Sequence, residues 1–130
     1  MNEGIVHRGI AEYKAVNLGS ASREELVIML YEAAVRYQIY ARTALQKGAS
    51  DDARNHLRRV RDIFGELMVA LDHTVAPELS NNLARLYTWL IAELGRAGME
   101  RSPDRLDDTI AVTQNLLDGW NQAFRNEEGR

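Results

Sequence analysis

A regular seam of apolar residues in the middle of the chain constrains the fold more than any other feature. Between residues 50 and 72, apolar side chains recur at intervals of four, three, four, three and four: Ala53, Leu57, Val60, Phe64, Leu67 and Leu71. This spacing places one continuous stripe along an α-helix, and it is typical of a helix that packs at a shallow angle inside a bundle. The seam therefore predicts a helix from Ser50 to about Asp72-His73.

Three further segments have an apolar stripe of the same kind, at residues 22–48, 77–98 and 102–125. Ser22 and Ser102 stand at the start of two of them and are good N-caps, because a serine hydroxyl can accept from the first free backbone N–H groups. The predicted core positions of the three stripes are Leu26, Leu30, Ala33, Tyr37, Ala41 and Ala44, then Leu79, Leu83, Leu86, Leu90, Leu94 and Ala97, then Leu106, Ile110, Thr113, Leu117, Trp120 and Phe124.

The connections between these segments are short, which makes consecutive helices antiparallel neighbours. We therefore predict an all-α protein, an antiparallel up-down-up-down four-helix bundle with an irregular N-terminal arm. One domain covers residues 1–130: the arm is 1–21, the bundle is 22–125, and 126–130 is a flexible tail. A chain of 130 residues with 45% hydrophobic residues can bury a core without metals or disulfides.

Composition also argues against several classes of protein. The longest near-continuous apolar run, Leu26–Tyr31, is too short to cross a bilayer, and the amino terminus has no hydrophobic stretch like that of a signal peptide. We therefore expect a cytoplasmic protein without membrane insertion. The formal net charge of −3 disfavours nucleic-acid binding, for which a basic domain is expected.

The sequence offers little that is typical of catalysis or of a metal or cofactor site. There is no cysteine, and the three histidines have no partner at the spacing that metal ligands need on a helix. A di-iron bundle would need Glu three residues before His, whereas Ala53 precedes His56 and Ala70 precedes His73. We therefore predict a protein that is not an enzyme and has no catalytic, metal or cofactor residues.

A histidine phosphotransfer bundle remains an alternative, because such domains are helical bundles of similar length with one reactive histidine. His56 is the candidate, and the arginines that follow it could stabilise a phosphoryl group. However, Val60 stands where a small residue would be needed. The other interpretation of His56 is a surface histidine beside Asp52, one helical turn earlier.

Four arginines lie close together in the second predicted helix. Arg54, Arg58 and Arg61 share one face and Arg59 is beside them, with carboxylates near enough to offset part of the charge. This face could bind an acidic segment of a partner, or it could simply be a solvated surface.

The chain has more apolar surface than four stripes require. In the first helix Leu26–Tyr31 are apolar in succession, so that apolar side chains point in every direction over two turns. Further apolar residues lie outside the predicted stripes: Val35, Ile39, Tyr40, Ile63, Met68, Val69, Tyr87, Trp89 and Ile91.

Three explanations for this surplus remain open. The arm, with Ile5, Ile10, Tyr13, Val16 and Leu18, could fold back over it. The chain could form a homodimer when free. Alternatively, grooves between the helices could receive amphipathic segments of another protein. The residues alone predict a generic helical interaction module and do not identify its partner.

Several motifs resemble one known family. The stretches Ile10-Ala-Glu-Tyr-Lys-Ala-Val16 and Ser20-Ala-Ser-Arg-Glu-Glu-Leu-Val-Ile-Met-Leu-Tyr-Glu-Ala-Ala34 resemble the amino-terminal signature of the FliS family of flagellin export chaperones. Asn82-Leu-Ala-Arg-Leu-Tyr87 and Leu116-Leu-Asp-Gly-Trp120 are similar to the family's third-helix and final-helix motifs. The resemblance covers nearly the whole chain, in order and at the right spacing.

The resemblance implies a cytosolic, non-enzymatic chaperone that binds the disordered carboxy-terminal region of flagellin. Such a protein prevents premature polymerisation and delivers flagellin to the export gate of the flagellar type III apparatus. It also implies that the arm, through Ile10, Tyr13 and Val16, lies near the flagellin groove. The other expected groove residues are Leu26, Met29, Leu30, Tyr31, Leu83, Leu86 and Tyr87.

Overall fold

The structure, a computed structural model, describes residues 23–128, and their side chains as far as residue 125. Four α-helices make up this part of the chain: α1 (Arg23–Gln46), α2 (Ser50–Val69), α3 (Pro77–Glu100) and α4 (Pro103–Glu128). The prediction of an all-α four-helix bundle is confirmed. The predicted arm, residues 1–21, lies outside the described residues.

Acidic residues lie in the first turns of α1 and α2. Glu24 and Glu25 lie in the first turn of α1, and Asp51 and Asp52 in the first turn of α2. Carboxylates at these positions interact favourably with the free N–H groups and the positive end of the helix dipole. After α1, Gly48 takes a left-handed conformation with φ of 77°, which a glycine adopts without steric cost.

The end of α2 differs from its prediction. The helix stops at Val69, short of Asp72-His73, and its last N–H groups bond in a tightened turn. Beyond it, Asp72 accepts from both the backbone N–H of Thr74 (2.9 Å) and the Thr74 hydroxyl (2.5 Å). A short acidic side chain that bonds two residues ahead stabilises a turn at the expense of the helix, which explains the early stop.

The carboxy-terminal ends of α3 and α4 extend further than predicted. Gly98, expected to end α3, lies inside the helix where α3 approaches α2: a Cβ there would stand 3.2 Å from Leu57 Cδ1. The left-handed residue is Arg101 instead, with φ of 51° and its N–H bonded to the Ala97 carbonyl. Likewise, α4 continues to Glu128, past the predicted end of the bundle at residue 125.

Each helix packs against two neighbours around a common core. α1 contacts α2 and α4, and α3 contacts the same two helices, so α1 and α3 face each other across a diagonal. The connections are short, at residues 47–49, 70–76 and 101–102. Consecutive helices in contact through such short connections run antiparallel.

The core follows the predicted stripes most closely in α2. From Ala53 to Leu67 its seam residues are buried, and Phe64 and Val60 are fully enclosed. In α3 the stripe is shifted: Leu79, predicted as core, is 52% exposed, whereas Tyr87, predicted as surplus, is only 2% exposed. The side of α3 that faces the core therefore consists of Leu83, Tyr87, Leu90, Leu94 and Ala97.

A short polar chain crosses the core between α1 and α4. Gln38 is fully buried, and its amide donates to the Ala34 carbonyl (3.1 Å) and to the Thr113 hydroxyl (3.0 Å). The Thr113 hydroxyl in turn donates to the Thr109 carbonyl (2.7 Å). Buried polar groups that are paired in this way fix the register of two helices, since sliding either would leave them unpaired.

Replacing Phe64 with alanine tests the position of the core. We expect Phe64→Ala to lower the free energy of unfolding by about 3–5 kcal/mol, because it removes a fully buried ring and leaves a cavity. Val69→Ala, at a residue that is 68% exposed on the same helix, should change it by less than about 0.5 kcal/mol. Urea unfolding followed by circular dichroism measures both, and equal effects would contradict this core.

Candidate partner-binding surface

The predicted groove residues within the described part of the chain come from two helices. Leu26, Met29, Leu30 and Tyr31 lie in the first turns of α1, whereas Leu83, Leu86 and Tyr87 lie in the first half of α3. Ile10, Tyr13 and Val16 lie outside the described residues.

The first two turns of α1 have apolar side chains on all sides that are only half covered. All five residues of Leu26–Leu30 are half-buried. Val27, Ile28 and Leu30 pack against the edge of the core. A helix segment with this pattern has one side on the bundle and apolar area left over on the others. This segment, the α1 apolar turn, is the part of the predicted site that can be covered by a partner.

Three of the predicted groove residues belong to the core. Tyr31 and Tyr87 are almost completely buried, and Leu83 is 8% exposed. The two tyrosine hydroxyl groups share a buried hydrogen bond across the diagonal of the bundle. The ring of Trp120 lies 6.5 Å from that of Tyr31, and the ring of Phe64 lies 5.7 Å from that of Tyr87. These side chains hold the bundle together beneath the surface.

Burial changes the ionisation of this tyrosine pair. Desolvation raises the pKa of Tyr31 above the usual value near 10, since the phenolate would have to form away from water. The pKa of Tyr87 is raised by the same cause, and the hydroxyl of Tyr31 raises it further. Both phenols are therefore neutral in the folded protein at any pH below about 10.

A second apolar surface follows the outside of α3. Leu79 is 52% exposed and Trp89 is 40% exposed, with the half-buried Leu86 between them on the same side of the helix. We call these three residues the outer α3 strip. The sequence placed Leu79 and Leu86 in the core, because an apolar stripe that is wider than one face does not show which edge is buried.

His56 is not the free surface histidine that the sequence suggested. It is half-buried, and its ring stacks on Tyr37 with ring centroids 6.1 Å apart and 23° between the planes. The centroid of the Tyr40 ring lies 5.5 Å from that of His56. A histidine enclosed by two aromatic rings differs from the exposed phosphate acceptor of a phosphotransfer domain.

The described residues contain neither a candidate metal site nor a membrane-spanning helix. Within residues 23–125, no three His, Asp or Glu side chains come together in a way that could hold a metal ion. Among the helices described, none is both long enough and apolar enough to cross a membrane.

The family model described as "Flagellar protein FliS" matches residues 7–127. The chain belongs to the FliS family. This membership confirms the resemblance found in the motifs, and it means that the relatives of this chain are chaperones of flagellar secretion.

Named FliS relatives match most of the chain. The flagellar secretion chaperone FliS of Campylobacter jejuni is 32% identical over 115 residues, covering 88% of this chain and 90% of that protein. The FliS of Vibrio cholerae is 27% identical, covering 85% and 84%. A crystal structure of a bacterial flagellar chaperone shares the fold, with a TM-score of 0.76 and 22% identity over 92% of this chain and 98% of the other.

The buried tyrosine pair predicts a pH dependence of stability that is specific to this FliS core. A pKa raised by folding stabilises the protein fully below the unfolded pKa of about 10, and this contribution is lost as the pH rises further. Above about pH 10, the free energy of unfolding should therefore fall more steeply in the natural chain than in Tyr31→Phe/Tyr87→Phe, by about 1–3 kcal/mol per pH unit. Urea unfolding between about pH 8 and about pH 11 measures this; identical slopes would contradict it.

Proposed function

We propose that this chain is a cytosolic export chaperone that binds the disordered carboxy-terminal region of flagellin. It keeps flagellin from polymerising early and delivers it to the export gate of the flagellar type III apparatus. The observation that supports this most strongly is the match of the FliS family model to residues 7–127. The names of the relatives, which are flagellar secretion chaperones, support it further.

The half-covered apolar side chains suit a guest of this kind. The segments of flagellin that assemble into a filament would be amphipathic, and an apolar groove on a chaperone would cover the same face that the filament later buries. The α1 apolar turn is the first candidate contact, and Ile10, Tyr13 and Val16 of the arm are proposed to contact the same guest. The outer α3 strip is the second.

Affinity in such a complex depends on the number of apolar contacts. Covering one half-exposed leucine or methionine contributes on the order of 1 kcal/mol. Ordering a disordered segment costs several kcal/mol, so a guest must make many such contacts at once. Surplus apolar area spread over two helices fits an elongated guest better than a small compact one.

Calorimetric titration with a carboxy-terminal flagellin peptide from the same organism tests the proposal directly. We expect one-to-one binding with a large negative heat-capacity change, because apolar surface is buried. A peptide with the same composition in scrambled order should not bind, since its apolar residues no longer share one helical face. If the natural peptide gives no heat and does not raise the melting temperature, the flagellin assignment is wrong.

Paired substitutions test which residues form the groove. Met29→Ala should raise the dissociation constant of the flagellin peptide about five-fold, and Ile10→Ala/Tyr13→Ala at least as much, with helicity unchanged. Met99→Ala is the matched control, because this side chain is 86% exposed and lies near the end of α3, at the opposite end of the bundle from the start of α1. It should change the constant by less than about two-fold. Equal losses in test and control variants would remove these residues from the site.

A further inference from the structure

A cluster of arginine and aromatic side chains covers the outside of the bundle between α1 and α2. At its centre is the Tyr37 ring, with the Arg59 guanidinium 5.2 Å and the Arg36 guanidinium 5.7 Å from its centroid. His56 stacks on the same ring, and Tyr40 packs against both. We call Arg36, Tyr37, Tyr40, His56 and Arg59 the arginine–tyrosine face.

Positive charge is concentrated beside this face. Residues 53–61 of α2 contain four arginines and no carboxylate, although the whole chain has a formal net charge of −3. Arg54, Arg58 and Arg59 are exposed, and Arg61 is half-buried. Asp51, Asp52 and Asp62 flank these residues, so the four arginines of residues 51–62 exceed the three carboxylates by one charge, and the segment is locally positive on an acidic protein.

Within the cluster, Arg54 pairs with Asp51 at 3.9 Å, whereas the contacts of Arg58 and Arg59 are with an amide and an aromatic ring. Arg42 pairs with Asp107 at 2.8 Å, and Arg105 pairs with both Glu100 at 2.6 Å and Glu93 at 3.2 Å. By contrast, Arg59 lies over a tyrosine ring, and Arg58 donates to the neutral amide of Asn55 at 2.7 Å.

Stacking on Tyr37 prepares the guanidinium groups to bind carboxylates. A ring under the guanidinium plane holds the side chain in place, while the N–H groups at the edge of the plane stay free to donate. Those donors match the two oxygens of a carboxylate. Because the ring already holds the arginine side chain in place, binding a carboxylate costs less side-chain entropy. Tyr40, which is 45% exposed, adds an aromatic surface beside these donors.

We propose that the arginine–tyrosine face, together with Arg58, is a second binding site that takes an acidic segment of a partner protein. Carboxylates of the segment pair with Arg36, Arg58 and Arg59, and an aromatic or aliphatic side chain packs on Tyr40. This site is separate from the proposed flagellin contacts, and its existence does not depend on them.

Charge complementarity selects this occupant over two others. The arm, residues 1–21, has two acidic side chains, Glu3 and Glu12, and two basic ones, Arg8 and Lys14. With His7 neutral its side chains carry no net charge, so it does not match the arginines. Nucleic acid and anionic membranes are extended polyanions, and the net charge of −3 repels them from the rest of the surface. A short acidic segment avoids that repulsion because it contacts only the basic face.

The test measures binding of a short fluorescein-labelled peptide of Glu-Asp-Tyr repeats to the full chain by fluorescence anisotropy, at low and at physiological ionic strength. We expect Arg58→Gln/Arg59→Gln to weaken binding about ten-fold. The matched control is Arg85→Gln/Arg96→Gln on α3, which changes the net charge equally. Arg85 also donates to an asparagine three residues earlier, as Arg58 does. The control should stay within about two-fold of the natural chain.

Amide chemical-shift mapping on the natural chain gives a second readout that needs no variant. The shifts caused by the peptide should be concentrated in residues 36–40 and 54–59. Equal loss in both double variants, shifts spread over the bundle, or no binding at low salt would each overturn the proposal. Tighter binding of single-stranded DNA or anionic vesicles at the same residues would also overturn it. The flagellin peptide is titrated against Arg58→Gln/Arg59→Gln as well: unchanged affinity supports a separate site, and loss of both ligands contradicts it.

Discussion

The hydrogen bond between the Tyr31 and Tyr87 hydroxyl groups is the constraint around which the bundle is arranged. It joins α1 to α3, the two helices that face each other across the diagonal. Both hydroxyl groups are buried, so each needs a hydrogen-bond partner. The bond between them therefore fixes the axial position and the rotation of α1 relative to α3. Trp120 from α4 and Phe64 from α2 then pack their rings against this pair, so that all four helices meet at one level.

Most of the fold could be predicted from the sequence, and the exceptions have two physical causes. The α2 seam identified its buried face correctly, because polar residues flank its first half, from Ala53 to Val60, on both sides. In α3, apolar residues cover more than one face, and spacing alone did not distinguish Leu79, which is exposed, from Tyr87, which is buried. The end of α2 was missed because the turn formed by Asp72 depends on a side-chain hydrogen bond that periodicity does not represent.

The candidate site was predictable only in part. An apolar surplus at the start of α1 was visible in the sequence, and the structure shows Leu26–Leu30 half-buried there. Tyr31 belongs to the same run of apolar residues, but it lies in the core. Each residue along a helix is rotated by about 100° from the one before, so Tyr31 faces a different side from Leu30. The stacking of Arg59 and His56 on Tyr37 could not be predicted either, since it depends on how α1 and α2 align side by side.

The polar chain between Gln38, Thr113 and Thr109 makes the place of α4 selective for the helix that occupies it. An amphipathic helix from a partner would have an apolar face like those of the protein's own helices. It would therefore compete with them for a place in the bundle. An apolar guest in the place of α4 would bury the Gln38 amide without the Thr113 hydroxyl, at a cost of about 1–3 kcal/mol. The native α4 supplies the Thr113 hydroxyl, and an apolar helix does not. The buried polar chain therefore favours α4 over an apolar helix at this place in the core.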